Sequence, residues 1–223
     1  MAMDRLYGGF VRRGDRVFDI GAHVGDRVAS FRRLGARVVA VEPQPAMVKV
    51  LKLLYGRSAD VAIEAVAVGR SIGATSMMIN TANPTVSTAS RQFVSAARDA
   101  PGWETQRWIK SLPVPMTTLD ALIGKYGVPA FIKIDVEGFE EEALLGLSCA
   151  VKAMSFEFTT IQREVALACI ERCIALGYTR FNAALGESQI FVNSDWVGGE
   201  EIGRWLTGLP HAANSGDIYA TIG

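Results

Sequence analysis

The chain has 223 residues, 49% of them hydrophobic, which is enough for a substantial core yet no more than one ordinary α/β domain needs, so residues 1–223 are expected to form one domain. Its 23 Lys and Arg balance 23 Asp and Glu, which excludes the basic footprint of a nucleic-acid or anionic-membrane binder and favours a small, uncharged or mildly polar partner. No apolar run reaches the length of a membrane span, and residues 1–15 carry Asp4, Arg5, Arg12, Arg13 and Asp15 where a signal sequence would be apolar, so a cytoplasmic location is expected.

In chain order, residues 16–20 read as a short apolar strand ending at Gly21. Residues 26–34 show helical spacing through Val28, Phe31 and Leu34 and stop at Gly35. Residues 37–41 form a second buried-type strand, residues 45–55 a helix and residues 61–66 a third strand. This β-α-β-α-β rhythm implies a parallel sheet with right-handed crossovers. Residues 74–79 read as a strand with no helix before it. The stretch 80–112 is rich in Ser, Thr, Ala and Pro, contains Trp103 and Trp108, and is expected to be a lid or substrate-side insertion. Alternation then resumes with strand 114–119, helix 120–126, strand 130–135, helix 139–147, strand 153–158 and helix 164–176, which Gly177 closes. Residues 178–184 and 189–192 look like two strands joined by a Gly-containing turn, an antiparallel hairpin at the C-terminal edge of the sheet. In the less decided tail after Trp196, residues 200–206 read as a helix. The expected fold is a doubly wound, Rossmann-like α/β sheet, mostly parallel, with that hairpin at one edge.

The cysteines do not suggest metal chemistry. Cys169 and Cys173 lie one helical turn apart, but with Cys149 and the only histidines, His23 and His211, they give no ligand pattern, and all three are expected to be reduced and structural.

The most informative segment is Asp19-Ile20-Gly21-Ala22-His23-Val24-Gly25, where a strand ends and a helix begins. Glycines there let the backbone pass close to a ligand, and the helix N-terminus offers free N–H groups. The dinucleotide pattern G-x-G-x-x-G would require glycine where His23 and Asp26 stand. Asp19 would repel a pyrophosphate but attract a cationic amino-acid group. Glu42, at the end of the second strand, can accept both hydroxyls of a ribose. Asp135 ends the fourth core strand and Glu157 nearly ends the fifth, so Asp19, Glu42, Asp135 and Glu157 should meet on the carboxyl-end rim where open α/β sheets bind ligands.

Together with this loop, Val41-Glu42-Pro43, Thr117-Thr118-Leu119-Asp120 and Ile132-Lys133-Ile134-Asp135-Val136-Glu137-Gly138-Phe139-Glu140 resemble the signatures of the FkbM family of methyltransferases, over roughly residues 16–158. The resemblance implies a class I fold that binds S-adenosylmethionine and transfers its methyl group to an oxygen of a small-molecule or sugar hydroxyl. It makes Asp19, Gly21, Ala22, His23 and Gly25 the methionine-side loop, Glu42 with Pro43 the ribose side, and Val66 and Ala67 neighbours of the adenine, with Asp135 also in reach of the cofactor. His23 departs from the small polar residue usual in the family, and residues 80–112 match nothing in it.

Methyl transfer to an alcohol requires the acceptor oxygen to be positioned and relieved of a proton. Asp135 is the first choice of base, followed by Glu157 and His23. Glu137 and Glu140 read as helix first-turn acids with structural roles. Asp135 and Glu157 could begin a divalent-metal site, but the sequence offers no evident third ligand, so no metal is expected. A nicotinamide-dependent oxidoreductase and a catalytically silent cofactor-binding module are the alternatives, and the oligomeric state is left open.

Overall fold

The computed structural model describes every residue, Met1–Gly223. Its first part is α1 (Ala2–Tyr7), β1 (Arg16–Ile20), α2 (Asp26–Arg33), β2 (Arg37–Val41), α3 (Pro45–Tyr55) and β3 (Val61–Glu64). The sequence did not indicate α1. Its apolar face is short, yet Leu6 and Tyr7 are buried, and Asp4 ties it to α2 through Arg33 (2.7 Å) and the Ser30 hydroxyl (2.6 Å). Asp26 in the first turn of α2 and Arg32 and Arg33 in its last turn suit the helix dipole.

The chain then leaves the main sheet for β4 (Ala67–Val68), β5 (Gly73–Ile79), α4 (Arg91–Arg98) and β6 (Lys110–Thr117). The three strands form a separate small sheet in the order β4-β6-β5 around Ala67, Met77 and Val114. Pro113 and Pro115 are tolerated in β6 because they take its exposed alternate positions, and β4 pairs only with Met116 and Thr117. The segment 80–112 is thus not structureless. It holds a 3-10 turn at Pro84–Val86 and α4, which Ser90 caps by accepting the Phe93 N–H at 3.0 Å. Phe93 is fully buried, with Trp103 and Trp108 edge-on to it.

The main sheet resumes with α5 (Leu119–Tyr126), β7 (Phe131–Ile134), α6 (Glu140–Leu145), β8 (Ala153–Thr159), α7 (Arg163–Leu176), β9 (Arg180–Leu185), α8 (Gly199–Gly208) and β10 (Ser215–Thr221). The strand order is β3-β2-β1-β7-β8-β10-β9, with β10 antiparallel to both neighbours and the remaining pairs parallel. The sheet is doubly wound and mostly parallel, as expected. One detail of its antiparallel edge differs: β9 pairs with β10 across α8, whereas residues 189–192 touch β9 only through an Ala184–Phe191 bridge. The tail strand carries the polar Ser215 and Asp217, which hid its pattern.

Because strand side chains alternate, the sheet serves two cores. On one face Phe18, Ile20, Ile132, Ile134, Met154 and Phe156 pack under α5, α6, α7 and α8 in a cluster of 27 buried residues. On the other, Val17, Phe131, Ala153 and Tyr219 pack under α1, α2 and α3 in a cluster of 17. Cys149, Cys169 and Cys173 are unpaired, the last two within the larger core. No helix is long and apolar enough to cross a membrane.

Candidate active site

Above the smaller core the second face turns polar. Asp19, Lys133, Ser155 and Tyr219 form one register row across β1, β7, β8 and β10, and beyond it Glu157 pairs in register with Asp217 while Asp135 follows the end of β7. This polar band opens at the carboxyl ends of β1, β2, β7 and β8 into a cavity of about 350 Å³, within the range of small-molecule sites. Asp19, Gly21, Ala22, His23, Glu42, Pro43, Val66, Ala67, Asp135 and Glu157 all line it. Gly25 does not. It is the N-cap of α2, and an added Cβ there would stand 2.8 Å from the Tyr55 ring, so it shapes the turn from behind.

The loop after β1 is held from several sides. Gly21 and Ala22 donate their N–H groups to the Val41 carbonyl at 2.9 and 3.0 Å. At Gly21 φ is +86°, and an added Cβ would lie 1.7 Å from the Asp135 carbonyl oxygen, so only glycine fits beneath the end of β7. His23 also takes a left-handed conformation, φ +46°, and its N–H donates to Glu42 Oε2 at 2.9 Å. The Gln44 N–H donates to Glu42 Oε1 at 2.7 Å. Glu42, 2% exposed, therefore links the loop to the start of α3 and keeps a free lone pair on each oxygen. Burial pushes its carboxyl up to about 7 against these two N–H bonds. Burial likewise raises Asp19, 2% exposed, to about 7, and its Oδ2 has no partner in the chain. The His23 Nε2 is also buried without a partner, and burial lowers that imidazole.

These features test the fit of the cofactor implied by the sequence. An orphaned carboxylate oxygen on Asp19 suits an ammonium, the free lone pairs of Glu42 suit two ribose hydroxyls, and the apolar wall of Val66, Ala67 and Val68 suits a flat aromatic ring. The residues fit S-adenosylmethionine.

At the carboxyl ends of β7 and β8, Asp135 and Glu157 meet three charges that the sequence did not assign, Lys133, Asp217 and Arg27. Lys133 is fully buried, and its Nζ donates to Asp135 Oδ2 at 3.0 Å and to Asp217 Oδ1 at 2.7 Å. Burial works to lower Lys133, but the charges of Asp135 and Asp217 outweigh it and hold it protonated. Burial works to raise Asp135, but Lys133, Arg27 and hydrogen bonds from Lys133 and Glu157 outweigh it and keep its carboxyl below the usual range. Glu157 goes the other way, raised by burial and then by Asp135 and Glu137. Arg27, on α2, enters the cavity paired with Glu187 at 2.7 Å.

Glu137 requires a correction. It precedes α6 rather than lying in its first turn, has φ +56°, and puts one carboxylate oxygen within 4.8 Å of oxygens of Asp135 and Glu157. Glu140 has the structural role expected, accepting the Val136 and Gly138 N–H groups at 3.0 and 3.3 Å. In the Leu-Asp motif, Asp120 accepts the Ser148 N–H at 3.0 Å and Thr118 caps α5, so it too is structural. A charged Lys133 inside an apolar strand and the odd spacing of Glu137 were the signals available in the sequence. Nothing local pointed to Asp217.

Residues 80–112 reach the same cavity. Thr85, Ser87 and Ala89 line it, Gln44 Nε2 donates to the Pro84 carbonyl at 3.2 Å, and the Thr88 hydroxyl donates to the Glu137 carbonyl at 2.6 Å. The first part of the segment is therefore a wall of the cavity, and the Trp108 indole buttresses it by donating to the Val86 carbonyl at 2.8 Å.

Residues 19–200 match the family model described as the methyltransferase FkbM domain. No curated protein matches the chain. Among solved structures it is similar to fibrillarin of Aeropyrum pernix with natively bound S-adenosylmethionine (11% identity, TM-score 0.49, 95% of this chain and 68% of that one). It is also similar to an S-adenosylmethionine-dependent O-methyltransferase of Thermotoga maritima (11%, 0.48, 99% and 63%) and to a precorrin-6Y C5,15-methyltransferase of Geobacter metallireducens (11%, 0.47, 98% and 86%).

Proposed function

The chain belongs to the FkbM family of methyltransferases, and from that premise we propose that it methylates a hydroxyl oxygen of a small molecule or sugar. It is a methyltransferase of the class I fold with S-adenosylmethionine as cofactor, which removes the nicotinamide alternative. When bound, the cofactor supplies a methyl group activated by a positively charged sulfur. Asp19, Gly21, Ala22 and His23 would hold its amino-acid end, Glu42 and Pro43 its ribose, and Val66 and Ala67 its adenine.

The observation that carries the oxygen assignment is the Asp135 carboxylate, which lines the cavity and accepts from fully buried Lys133 at 3.0 Å. An acceptor hydroxyl placed there donates to Asp135, which orients an oxygen lone pair toward the cofactor side. As the new carbon–oxygen bond forms, the hydroxyl proton becomes strongly acidic, so even a carboxylate of lowered basicity can take it. The proton then resides on Asp135, with Glu157 adjacent to share it and His23, which also lines the cavity, the alternative base. Lys133 stays charged throughout, because Asp217 holds its other side. The walls from residues 84–89 and Phe139 limit water in the cavity.

The test is a screen of hydroxylated metabolites and sugars with isotope-labelled cofactor, the label being located by NMR. Label on oxygen supports the reading. Label on nitrogen or carbon overturns it, and the absence of transfer to any class of acceptor favours a silent cofactor-binding module.

A further inference from the structure

We propose that Asp135, Glu137 and Glu157 form a binding site for one hard divalent cation of the magnesium or manganese type. The three side chains come from the end of β7, the turn before α6 and β8, and offer one oxygen each, all within 4.8 Å of one another. Oxygens that share one such ion at about 2.1–2.6 Å lie no more than about 5 Å apart, so the spacing fits without rearrangement.

A second observation separates this cluster from an ordinary group of surface acids. Glu137 is 9% exposed and no donor of the chain reaches its carboxylate, although its backbone is anchored through its carbonyl by Thr88 at 2.6 Å. Oε2 of Glu157 is likewise buried, with no donor from outside the cluster. A buried carboxyl that no cation of the chain reaches either keeps a proton or ligates a metal that displaces it. The available cations do not suffice for pairing: Lys133 is shared with Asp217, and Arg27 is occupied by Glu187. An all-oxygen ligand set selects a hard ion over zinc or copper. Asp135, Glu137 and Glu157 all line the cavity, so the side of the cluster that faces it is left for water or an acceptor oxygen. A hydroxyl bound there would lose its proton more readily.

The test needs neither cofactor nor acceptor, so its outcome is separate from that of the methyl-transfer reading. Metal-free full-length protein is titrated with Mn²⁺, with free ion followed by electron paramagnetic resonance and stability by thermal unfolding. Expected are one Mn²⁺ per chain, displacement by Mg²⁺ and a rise in Tm. Glu137→Gln and Glu157→Gln should each weaken binding by roughly tenfold or more, while exposed Glu171→Gln leaves it unchanged. Without metal, Glu137→Gln should unfold at a higher temperature than the parent, because a neutral amide replaces a buried carboxyl that no group of the chain compensates, yet show no rise with Mn²⁺. A merely structural glutamate would not give that opposite pair of effects. Failure to bind Mn²⁺ stoichiometrically, or equal binding by the parent and both variants, overturns the proposal.

Discussion

Replacing Glu42 with Gln perturbs one atom of a buried hub, and the consequences can be worked from its geometry. Both Glu42 oxygens accept backbone N–H groups, from Gln44 at 2.7 Å and His23 at 2.9 Å. A Gln amide must turn its NH₂ toward one of these donors, leaving a mispaired buried group that costs about 1–3 kcal/mol. The pH dependence has the opposite sign. The carboxyl rises from 4.5 to about 7 on folding, so the parent is most stable when Glu42 is protonated and loses stability as pH climbs through that window. At about 1.4 kcal/mol per pH unit the loss reaches about 3 kcal/mol by pH 8, and Gln, which does not titrate, escapes it. Urea unfolding should therefore show Glu42→Gln less stable than the parent near pH 5, with the gap closing or reversing near pH 8. Cofactor binding should still weaken roughly 10- to 100-fold at pH 8, because the ribose loses a charged acceptor. A stability gap that stays constant with pH, together with unchanged cofactor affinity, would refute the reasoning.

Asp135→Asn should leave the cofactor dissociation constant within about threefold but slow single-turnover methyl transfer by roughly 10²–10⁴, as loss of a general base does. Gly21→Ala, with φ at +86° and its new Cβ 1.7 Å from the Asp135 carbonyl oxygen, should cost roughly 2–5 kcal/mol in urea unfolding and abolish cofactor binding. Lys133→Met should cost about 3–5 kcal/mol at neutral pH by stranding Asp135 and Asp217, and adding Asp217→Asn should recover part of that loss in the same measurement.

Local pattern made much of this molecule legible. From β1 to α3 the apolar runs, Gly21, Gly25 and Pro45 punctuate the chain so sharply that element boundaries in sequence and structure nearly coincide. The loop acids could be placed because the rim of a parallel sheet collects whatever ends its strands. Three features were not legible. The β9–β10 pairing spans α8, and the nearer apolar residues Ile190 and Val192 imitated a hairpin partner although they are partly or largely exposed. α4 has only Phe93 and Ala97 as buried anchors, too few for a helical period to stand out, although Ser90 marks its start. The charges around Lys133 and Glu137 depend on contacts such as Lys133–Asp217, 84 residues apart, which no window of sequence contains.

Calorimetric titration of S-adenosylhomocysteine into the full chain, with a nicotinamide dinucleotide as the competing ligand, tests the central claim most directly. One site per chain, occupied by the nucleoside and unaffected by the dinucleotide, is the predicted result, with binding lost in Gly21→Ala and weakened in Glu42→Gln. Binding that survives Gly21→Ala undiminished, or tighter binding of the dinucleotide, would contradict the placement of the cofactor between the β1 loop and Glu42.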